Sequence, residues 1–269
     1  MTARPDAAAA AARRAWLPRQ HGAWAMLILP ILVGVAASSP APWHLALAGA
    51  ALSGYLASAA FQGWSRSRRG PVYRRPLLVY TATFAAISVP LLAMFPALLL
   101  VLVVGVPAGL IVVAGAKPAT RRDLASSLSQ VALAVTLVPA SAWVSGMDAT
   151  GPVVAGTLVA AGYLVGTVLV VRSVIRERSN PRFAAASVVF HLALVVAAAA
   201  WLPTAYVLIA VLLAVRAAAF PLLQRRLAAS PRPLRPVHLG IAEMVASTLV
   251  VTVAFVVPLP GLLPSLVPG

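Results

Sequence analysis

The chain contains no cysteine among its 269 residues, which excludes disulfide bonds, thiolate metal sites and cysteine nucleophiles. Charged residues are scarce, at 10% of the sequence, and only five of them are acidic. The motifs of P-loop nucleotide binding, of the serine-hydrolase elbow and of zinc proteases are also missing. With four histidines and five acids scattered along the chain, we predict no metal site and no cofactor.

The composition of the chain is that of a membrane protein. Hydrophobic residues make up 61% of the sequence and the mean hydropathy is +0.95. Soluble domains are about 45–50% apolar and about 25% charged, so this composition indicates a polytopic membrane protein. We divide the chain into a disordered basic N-terminal tail (1–16), a single transmembrane domain (17–260) and a short C-terminal tail (261–269).

Apolar runs of spanning length recur along the chain. A spanning helix needs about 20 apolar residues. The candidates lie near 22–38, 43–63, 77–95, 97–116, 124–145, 152–171, 184–201, 203–223 and 238–257. Because backbone groups in lipid must bond within their own segment, we predict an all-α bundle of nine transmembrane helices. The short connections at Pro96 and Pro203 predict antiparallel helix pairs, and kinks are predicted at Pro30, Pro90, Pro107 and Pro139.

Basic residues fall on one side of the membrane when nine spans alternate. All 21 lie before span one, after spans two, four, six and eight, or within the last turns of these spans. Cytoplasmic loops carry the excess of lysine and arginine, which predicts a cytoplasmic N-terminus and an outside C-terminus. The net charge of +16 is therefore a cytoplasmic collar that attracts anionic lipid headgroups. We expect membrane lipids as partners and no nucleic acid, and the oligomeric state stays open.

The first span comes after a short polar segment, Arg19, Gln20 and His21. A basic stretch before an apolar run imitates a secretory signal, but eight further spans come after it and no cleaved signal is needed. A plain anchor explains Arg19 and the apolar run, but it leaves Gln20 and His21 unexplained. We expect His21 to point inward, toward the end of span six or the start of span nine.

Polar side chains in the cytoplasmic half of the spans are the candidates for a site, because such groups are costly in a bilayer. They are Gln20, His21, Gln62, Gln130, Arg172, Arg176, Glu177, Arg178, His191, Arg216, His238 and Glu243. Arg216 either extends to the interface or pairs with Glu243, and His191 is either a packing residue or part of a site. A carboxylate at Glu243 must pair or be protonated. Their common depth predicts a cavity open to the cytoplasm.

Several segments resemble the YwiC-like family of bacterial membrane proteins. They are LPRQHGAWAMLILP (17–30), RSVIRERSN (172–180), His191 and RPVHLGIAE (235–243), and the resemblance runs from about residue 17 to 257. It implies a multi-pass protein of the bacterial cytoplasmic (inner) membrane, and it implies no particular activity.

The architecture also resembles the UbiA-type intramembrane prenyltransferases. In those enzymes the cytoplasmic loops after spans two and six carry aspartate-rich motifs that bind magnesium and a prenyl diphosphate. Here the corresponding stretches read FQGWSRSRRGPVYRRPL (61–77) and VRSVIRERSNPRF (171–183), and only Glu177 is acidic. Magnesium needs carboxylate clusters, whereas arginine binds phosphate directly. The resemblance therefore favours an arginine-lined pocket over a magnesium site.

Three functions are compatible with these residues. The first is an arginine-lined, cytoplasm-facing cavity for an anionic lipid or isoprenoid phosphate, with or without a UbiA-like lipid transferase activity. The second is a carrier for a small anion or a proton-coupled solute, and the third is a non-enzymatic membrane component. The ligand-binding candidates are Arg66, Arg69, Arg172, Arg176, Arg178 and Arg216. The candidate acids and bases are His21, His191 and Glu243, and Gln20, Gln62, Glu177 and His238 are further polar residues of the cavity.

Overall fold

The computed structural model describes residues 15–17, 22–66, 71–114, 124–148, 151–227 and 236–261. Apart from the short segment 15–17, these residues form a sequence of helices joined by short connections. Their bounds are α1 (Gly22–Ala37), α2 (Trp43–Arg66), α3 (Pro71–Met94), a 3₁₀ helix (Pro96–Leu100), α4 (Val101–Ala114), α5 (Leu124–Val135), α6 (Leu137–Val144), α7 (Gly151–Ile175), α8 (Pro181–Trp201), α9 (Thr204–Leu227) and α10 (Pro236–Val256). The all-α fold class is therefore confirmed.

Seven helical segments are long and apolar enough to cross a membrane. They are α2, α3, the combined α5 and α6, and α7 to α10. Two shorter apolar segments, Met26–Ala37 and Pro96–Ile111, correspond to the first and fourth predicted spans. The protein is thus a multi-pass membrane protein with seven segments of spanning length in the described residues, and the two short segments leave the count of nine a prediction.

The fifth span is broken in the middle. Helix α5 ends at Val135 and α6 begins at Leu137, with Thr136 in a turn between them. Pro139 has no backbone N–H to donate to Val135, so one hydrogen bond of the helix is lost at this point. The helical pattern resumes with Ala140, whose N–H donates to Thr136 over 3.1 Å. The break thus coincides with Pro139, whereas the predicted kink sites Pro30, Pro90 and Pro107 lie inside helices that are not interrupted.

Two predicted helix pairs have different outcomes. Helices α8 and α9 pack closely across the turn at Pro203, as predicted. The pairing of the third and fourth spans is wrong for the described residues, since α3 packs mainly on α2 and α4 mainly on α5. Phe95 precedes Pro96 and adopts a non-helical conformation, which ends α3. A 3₁₀ helix begins at Pro96 and separates α3 from α4.

The core lies between α1, the broken α5–α6 pair, α7 and α10. Leu29, Val33, Val138 and Val153 are almost completely buried there. At Gly34 the α1 backbone approaches α6 so closely that a Cβ atom would lie 2.8 Å from the Val138 carbonyl oxygen. Small residues at such contacts let helices approach each other in a membrane. Helix α1 is thus a central helix of the bundle despite its short length.

The N-terminal segment touches the outside of this bundle. The Tyr80 hydroxyl on α3 donates to the Trp16 carbonyl oxygen over 2.8 Å, and the two rings meet edge to face at 5.7 Å. Ala15 is also buried. Residues 1–14 of the predicted tail lie outside the described part of the chain.

Candidate functional site

Four consecutive helices, α7 to α10, place polar side chains against one another inside the bundle. We call the ends of α7, α8 and α9 near Arg172, Arg182 and Arg226 the basic end. Arg216 on α9 lies 11 residues from the end of that helix at Leu227, which is a depth of about 16 Å. This depth is roughly half of a bilayer's hydrocarbon thickness of about 30 Å. The site therefore lies well inside the spanning region.

An ion pair joins α9 to α10 at this depth. Arg216 Nη1 lies 2.7 Å from Glu243 Oε1, and the two side chains are only 9% and 12% exposed. Of the alternatives for Arg216, the structure thus shows pairing with Glu243. Removing such a pair from water is costly unless further hydrogen bonds satisfy both groups.

Helix α7 supplies further hydrogen bonds to the carboxylate. Thr167 Oγ1 donates to Glu243 Oε2 over 2.8 Å, and the Tyr163 hydroxyl lies 3.3 Å from the same oxygen. The Tyr163 hydroxyl also lies 3.1 Å from the Glu243 carbonyl oxygen. Thr167 and Tyr163 are one turn apart, so both face α10 from the same side of α7. The Glu243 carboxylate is thus in contact with one guanidinium and two hydroxyl groups.

His191 on α8 is buried beside this pair, with 1% of its surface exposed. Its Nδ1 lies 2.7 Å from the Ser187 carbonyl oxygen one turn earlier. Because a carbonyl can only accept, Nδ1 carries the proton and Nε2 has the free lone pair in the neutral ring. His191 also lies within electrostatic range of both Arg216 and Glu243.

A glycine makes room for this ring. A Cβ atom on Gly166 of α7 would lie 2.7 Å from His191 Nε2, and one on Gly162 would lie 2.9 Å from Leu194. Gly162 and Gly166 are four residues apart and form a small-residue face that receives α8. This spacing is the one that lets membrane helices pack closely. The imidazole is therefore pressed against the α7 backbone.

Several buried polar atoms around the pair have no hydrogen-bond partner among the described residues. They are Arg216 Nε and Nη2, His191 Nε2, Ser187 Oγ and Gln224 Oε1. An unsatisfied buried donor or acceptor costs about 1–3 kcal/mol, so such groups call for an explanation in a native structure. The free edge of Arg216 is notable because Nε and Nη2 point the same way and together form the edge that grips a carboxylate or phosphate.

Two further buried polar groups lie between the ion pair and the basic end. Ser187 precedes His191 by one turn, and Gln224 lies about two turns beyond Arg216, so both lie nearer the basic end. In the opposite direction α8 runs through LALVVAAAAW (192–201), which is entirely apolar. On α8, polar side chains thus lie between His191 and the basic end but not between His191 and Trp201.

The predicted residues at the end of α7 do not join this buried group. Arg176 and Arg178 are exposed. Arg172 is mostly buried, lies 3.6 Å from Glu177 and stands 5.9 Å over the Phe183 ring. The Glu177 carboxylate also accepts from the Asn180 side chain over 3.1 Å. These contacts hold the turn between α7 and α8 together.

The remaining predicted residues lie apart from the buried group or outside the described part of the chain. Gln62 lies at the end of α2 with its amide 3.4 Å from the Ser58 hydroxyl, whereas Gln130 and His238 are exposed. Gln20, His21, Arg69 and the Arg66 side chain lie outside the described residues, and so does the expected inward orientation of His21. Within the described part of the chain, histidines and acids form no group of three that could hold a metal ion.

Sequence reasoning missed Tyr163, Thr167, Gly166 and Ser187. Hydroxyl residues and glycines are common in membrane helices, where hydroxyls often bond to their own backbone. The spacing of Gly162 and Gly166 in GYLVG was the one available signal, since it marks a face for close helix contact. Which helix uses that face depends on the tertiary structure.

These features define a class: a multi-pass helical membrane protein with a buried arginine–glutamate pair at the centre of its last four helices. A family model described as YwiC-like protein matches residues 17–142, which end before α7. The uncharacterized protein YwiC of Bacillus subtilis is 33% identical over 184 residues, covering 67% of this chain and 76% of that protein. The chain belongs to the YwiC-like family.

A second relative, an uncharacterized protein of Haemophilus influenzae, is 24% identical over 176 residues. That match covers 65% of this chain and 74% of the relative. No solved structure matches the chain.

Proposed function

We propose that this protein binds a phosphate-bearing anion, either a lipid headgroup or a small solute, at the buried Arg216 in the middle of the membrane. The observation that carries the proposal is the free Nε–Nη2 edge of Arg216. Glu243 engages Nη1, at 2.7 Å, and leaves the two-donor edge without a partner among the described residues. This edge matches two oxygens of a phosphate, and a protein interior strengthens such charge-assisted hydrogen bonds.

Access is from the cytoplasmic side of a bacterial cytoplasmic membrane in this proposal. If the nine predicted spans alternate across the membrane, all 21 basic residues fall on one side, which supports a cytoplasmic N-terminus and an outside C-terminus. Ser187 and Gln224 then lie between Arg216 and the cytoplasm. The arginines of the basic end raise the local concentration of anions at this entrance. Since the free edge is fully buried, binding requires α9 to separate from its neighbours.

Two versions of this function differ in the fate of the anion after it binds. A small-anion carrier is supported by the mid-depth position of the ion pair, although α8 offers no polar group beyond His191 toward the outside. A UbiA-like lipid transferase is supported less, because the single acid of the motif after α7, Glu177, is engaged by Arg172 and Asn180. Binding at Arg216 is common to both versions.

The test is a binding titration with the full-length protein in phosphatidylcholine nanodiscs. Two probes are used: dimethyl phosphate for a free anion and short-chain phosphatidylglycerol for a lipid headgroup. Arg216→Lys keeps the charge but loses the two-donor edge. A charged hydrogen bond is worth about 1.5–3 kcal/mol, so we expect the variant to bind about 10–100-fold more weakly.

The matched control is Arg226→Lys, an exposed arginine at the end of the same helix, which should bind like the unmodified protein. Binding of phosphatidylglycerol alone identifies a lipid ligand, and binding of both probes identifies a free phosphate group as sufficient. Failure of both probes to bind the unmodified protein, or equal affinity of Arg216→Lys, would refute the proposal.

A further inference from the structure

We propose that His191 takes up a proton at Nε2 when the anion binds at Arg216, so that anion and proton enter the site together. This inference rests on the proposed function and adds the coupling of that same site to protons. It starts from the ring itself. The hydrogen bond from Nδ1 to the Ser187 carbonyl oxygen, at 2.7 Å, fixes the neutral tautomer and leaves Nε2 as the basic nitrogen.

His191 Nε2 is buried and has no partner within the described residues. The second buried histidine shows the contrast. His44 Nε2 donates to the Ser141 carbonyl oxygen over 3.0 Å, and His44 Nδ1 accepts from the Ala41 N–H, also at 3.0 Å. Both nitrogens of His44 therefore have hydrogen-bond partners. A basic nitrogen held in place and left free is found only at His191 among the described histidines that are buried.

The charge of the site explains why a proton is needed. Neighbouring helices bring two charged groups into electrostatic range of His191: Arg216 from α9 and Glu243 from α10. The charges of this ion pair sum to zero. A bound phosphate diester would therefore leave one uncompensated negative charge in a low-dielectric interior, which is strongly unfavourable. An imidazolium at His191 restores neutrality.

Glu243 is the other group that could take this proton, and its surroundings oppose that. Arg216 lies 2.7 Å from Oε1, and Thr167 donates to Oε2 over 2.8 Å. Both carboxylate oxygens are therefore already engaged, and a proton placed on either of them would displace one of these contacts. His191 has no such contact at Nε2. The proton therefore goes to the histidine.

The geometry also shows how the coupling acts without contact between the ring and the anion. His191 is in electrostatic range of both members of the ion pair. Gly166 lets the ring lie against α7, where its position is restricted by packing. A charge on the ring then stabilises an anion held at Arg216 through the low-dielectric interior. We therefore class His191 as a positioning and charge-balancing residue of the binding site.

Proton counting by titration calorimetry tests this inference. Dimethyl phosphate is titrated into the full-length protein in phosphatidylcholine nanodiscs, in buffers with different ionisation enthalpies. The probe keeps one negative charge throughout the neutral range, so any proton taken up resides on the protein. We expect uptake of about one proton per anion near neutral pH, and an affinity that falls by up to about tenfold per pH unit as the ring loses its proton.

The informative variant is His191→Asn, whose side-chain amide can keep the donor to Ser187 but cannot take a proton. It should bind the anion without proton uptake and with little dependence on pH. His44→Gln removes a titratable ring outside the site and keeps a donor for Ser141, so it should behave like the unmodified protein. The proton count on the unmodified protein decides even if His191→Asn does not fold.

The outcomes separate the two proposals. Binding that depends on Arg216 but releases or takes up no proton overturns the coupling and leaves the anion site standing. Proton uptake that persists in a folded His191→Asn variant overturns the assignment to His191. Absence of binding by the unmodified protein at every pH refutes the anion site itself.

Discussion

Breaking the Arg216–Glu243 pair by one substitution should destabilise the protein far more than replacing both residues. Glu243→Leu leaves a buried guanidinium without its counter-ion, and Arg216→Met leaves a buried carboxylate. Since the side chains are only 9% and 12% exposed, solvent cannot compensate either charge. Removing one partner of a buried pair costs about 3–5 kcal/mol, and we expect each single variant to lose about this much.

The double variant Arg216→Met, Glu243→Leu removes both charges and leaves apolar side chains between α9 and α10. Replacing a buried pair by apolar residues is often neutral or stabilising, so the double variant should regain most of the lost stability. The coupling energy from the four proteins should then reach about 3 kcal/mol or more, above the roughly 0.2–1 kcal/mol of exposed pairs. The double variant should be folded but unable to bind the anion.

The assay is unfolding in mixed micelles with increasing dodecyl sulfate, monitored by circular dichroism and by the fluorescence of the six tryptophans. The more exposed pair Arg172–Glu177, at 3.6 Å, serves as the comparison. Glu177→Gln should cost no more than about 1 kcal/mol. Single variants of the buried pair that lose less than this, or a double variant as unstable as the sum of the singles, would refute the reasoning.

Two further predictions concern packing and topology. Gly166→Ala places a Cβ atom 2.7 Å from His191 Nε2, so unfolding measurements should show a loss of about 1–3 kcal/mol, whereas Gly109→Ala, with nothing within 4 Å, should be neutral or slightly stabilising. A loss that is equal in both variants would contradict the packing argument. Because the chain lacks cysteine, single cysteines can be labelled without background. Asp148→Cys should react with an impermeant maleimide in intact cells and Arg178→Cys only after permeabilisation; the reverse pattern would invert the proposed orientation.

The all-α class and the multi-pass character could be predicted from composition because the bilayer imposes one strong rule. A segment without water must satisfy its own backbone hydrogen bonds, so an apolar run of sufficient length becomes a helix. A proline removes a backbone donor wherever it occurs in a helix, but of the four predicted kink sites only Pro139 coincides with a break, since Pro30, Pro90 and Pro107 lie in continuous helices. The packing of α4 on α5 could not be predicted, because lipid-facing and protein-facing surfaces are equally apolar here.

The residues of the candidate site also fall into two groups, those that the sequence could identify and those that it could not. Glu243 and Arg216 could be selected from the sequence because charges inside a membrane are rare and expensive, and each needs an explanation on its own. The exposed positions of Arg176 and Arg178 were not predictable, since their distance from the buried pair depends on how α7 and α8 turn about their axes. Thr167 and Tyr163 gave no signal, because a hydroxyl becomes a site residue only through the groups that it faces.

By itself, then, the sequence determined that this is a helical multi-pass membrane protein. It also identified the charged residues inside the spans, which need a partner because an unpaired charge is unfavourable in a membrane. These properties depend on transfer free energies, which belong to each segment separately. The tertiary structure alone decided that Arg216 pairs with Glu243 through one nitrogen, that Thr167 completes the carboxylate and that Gly166 admits the His191 ring. Those contacts join four helices, and they depend on helix rotation and register, which local physics leaves open.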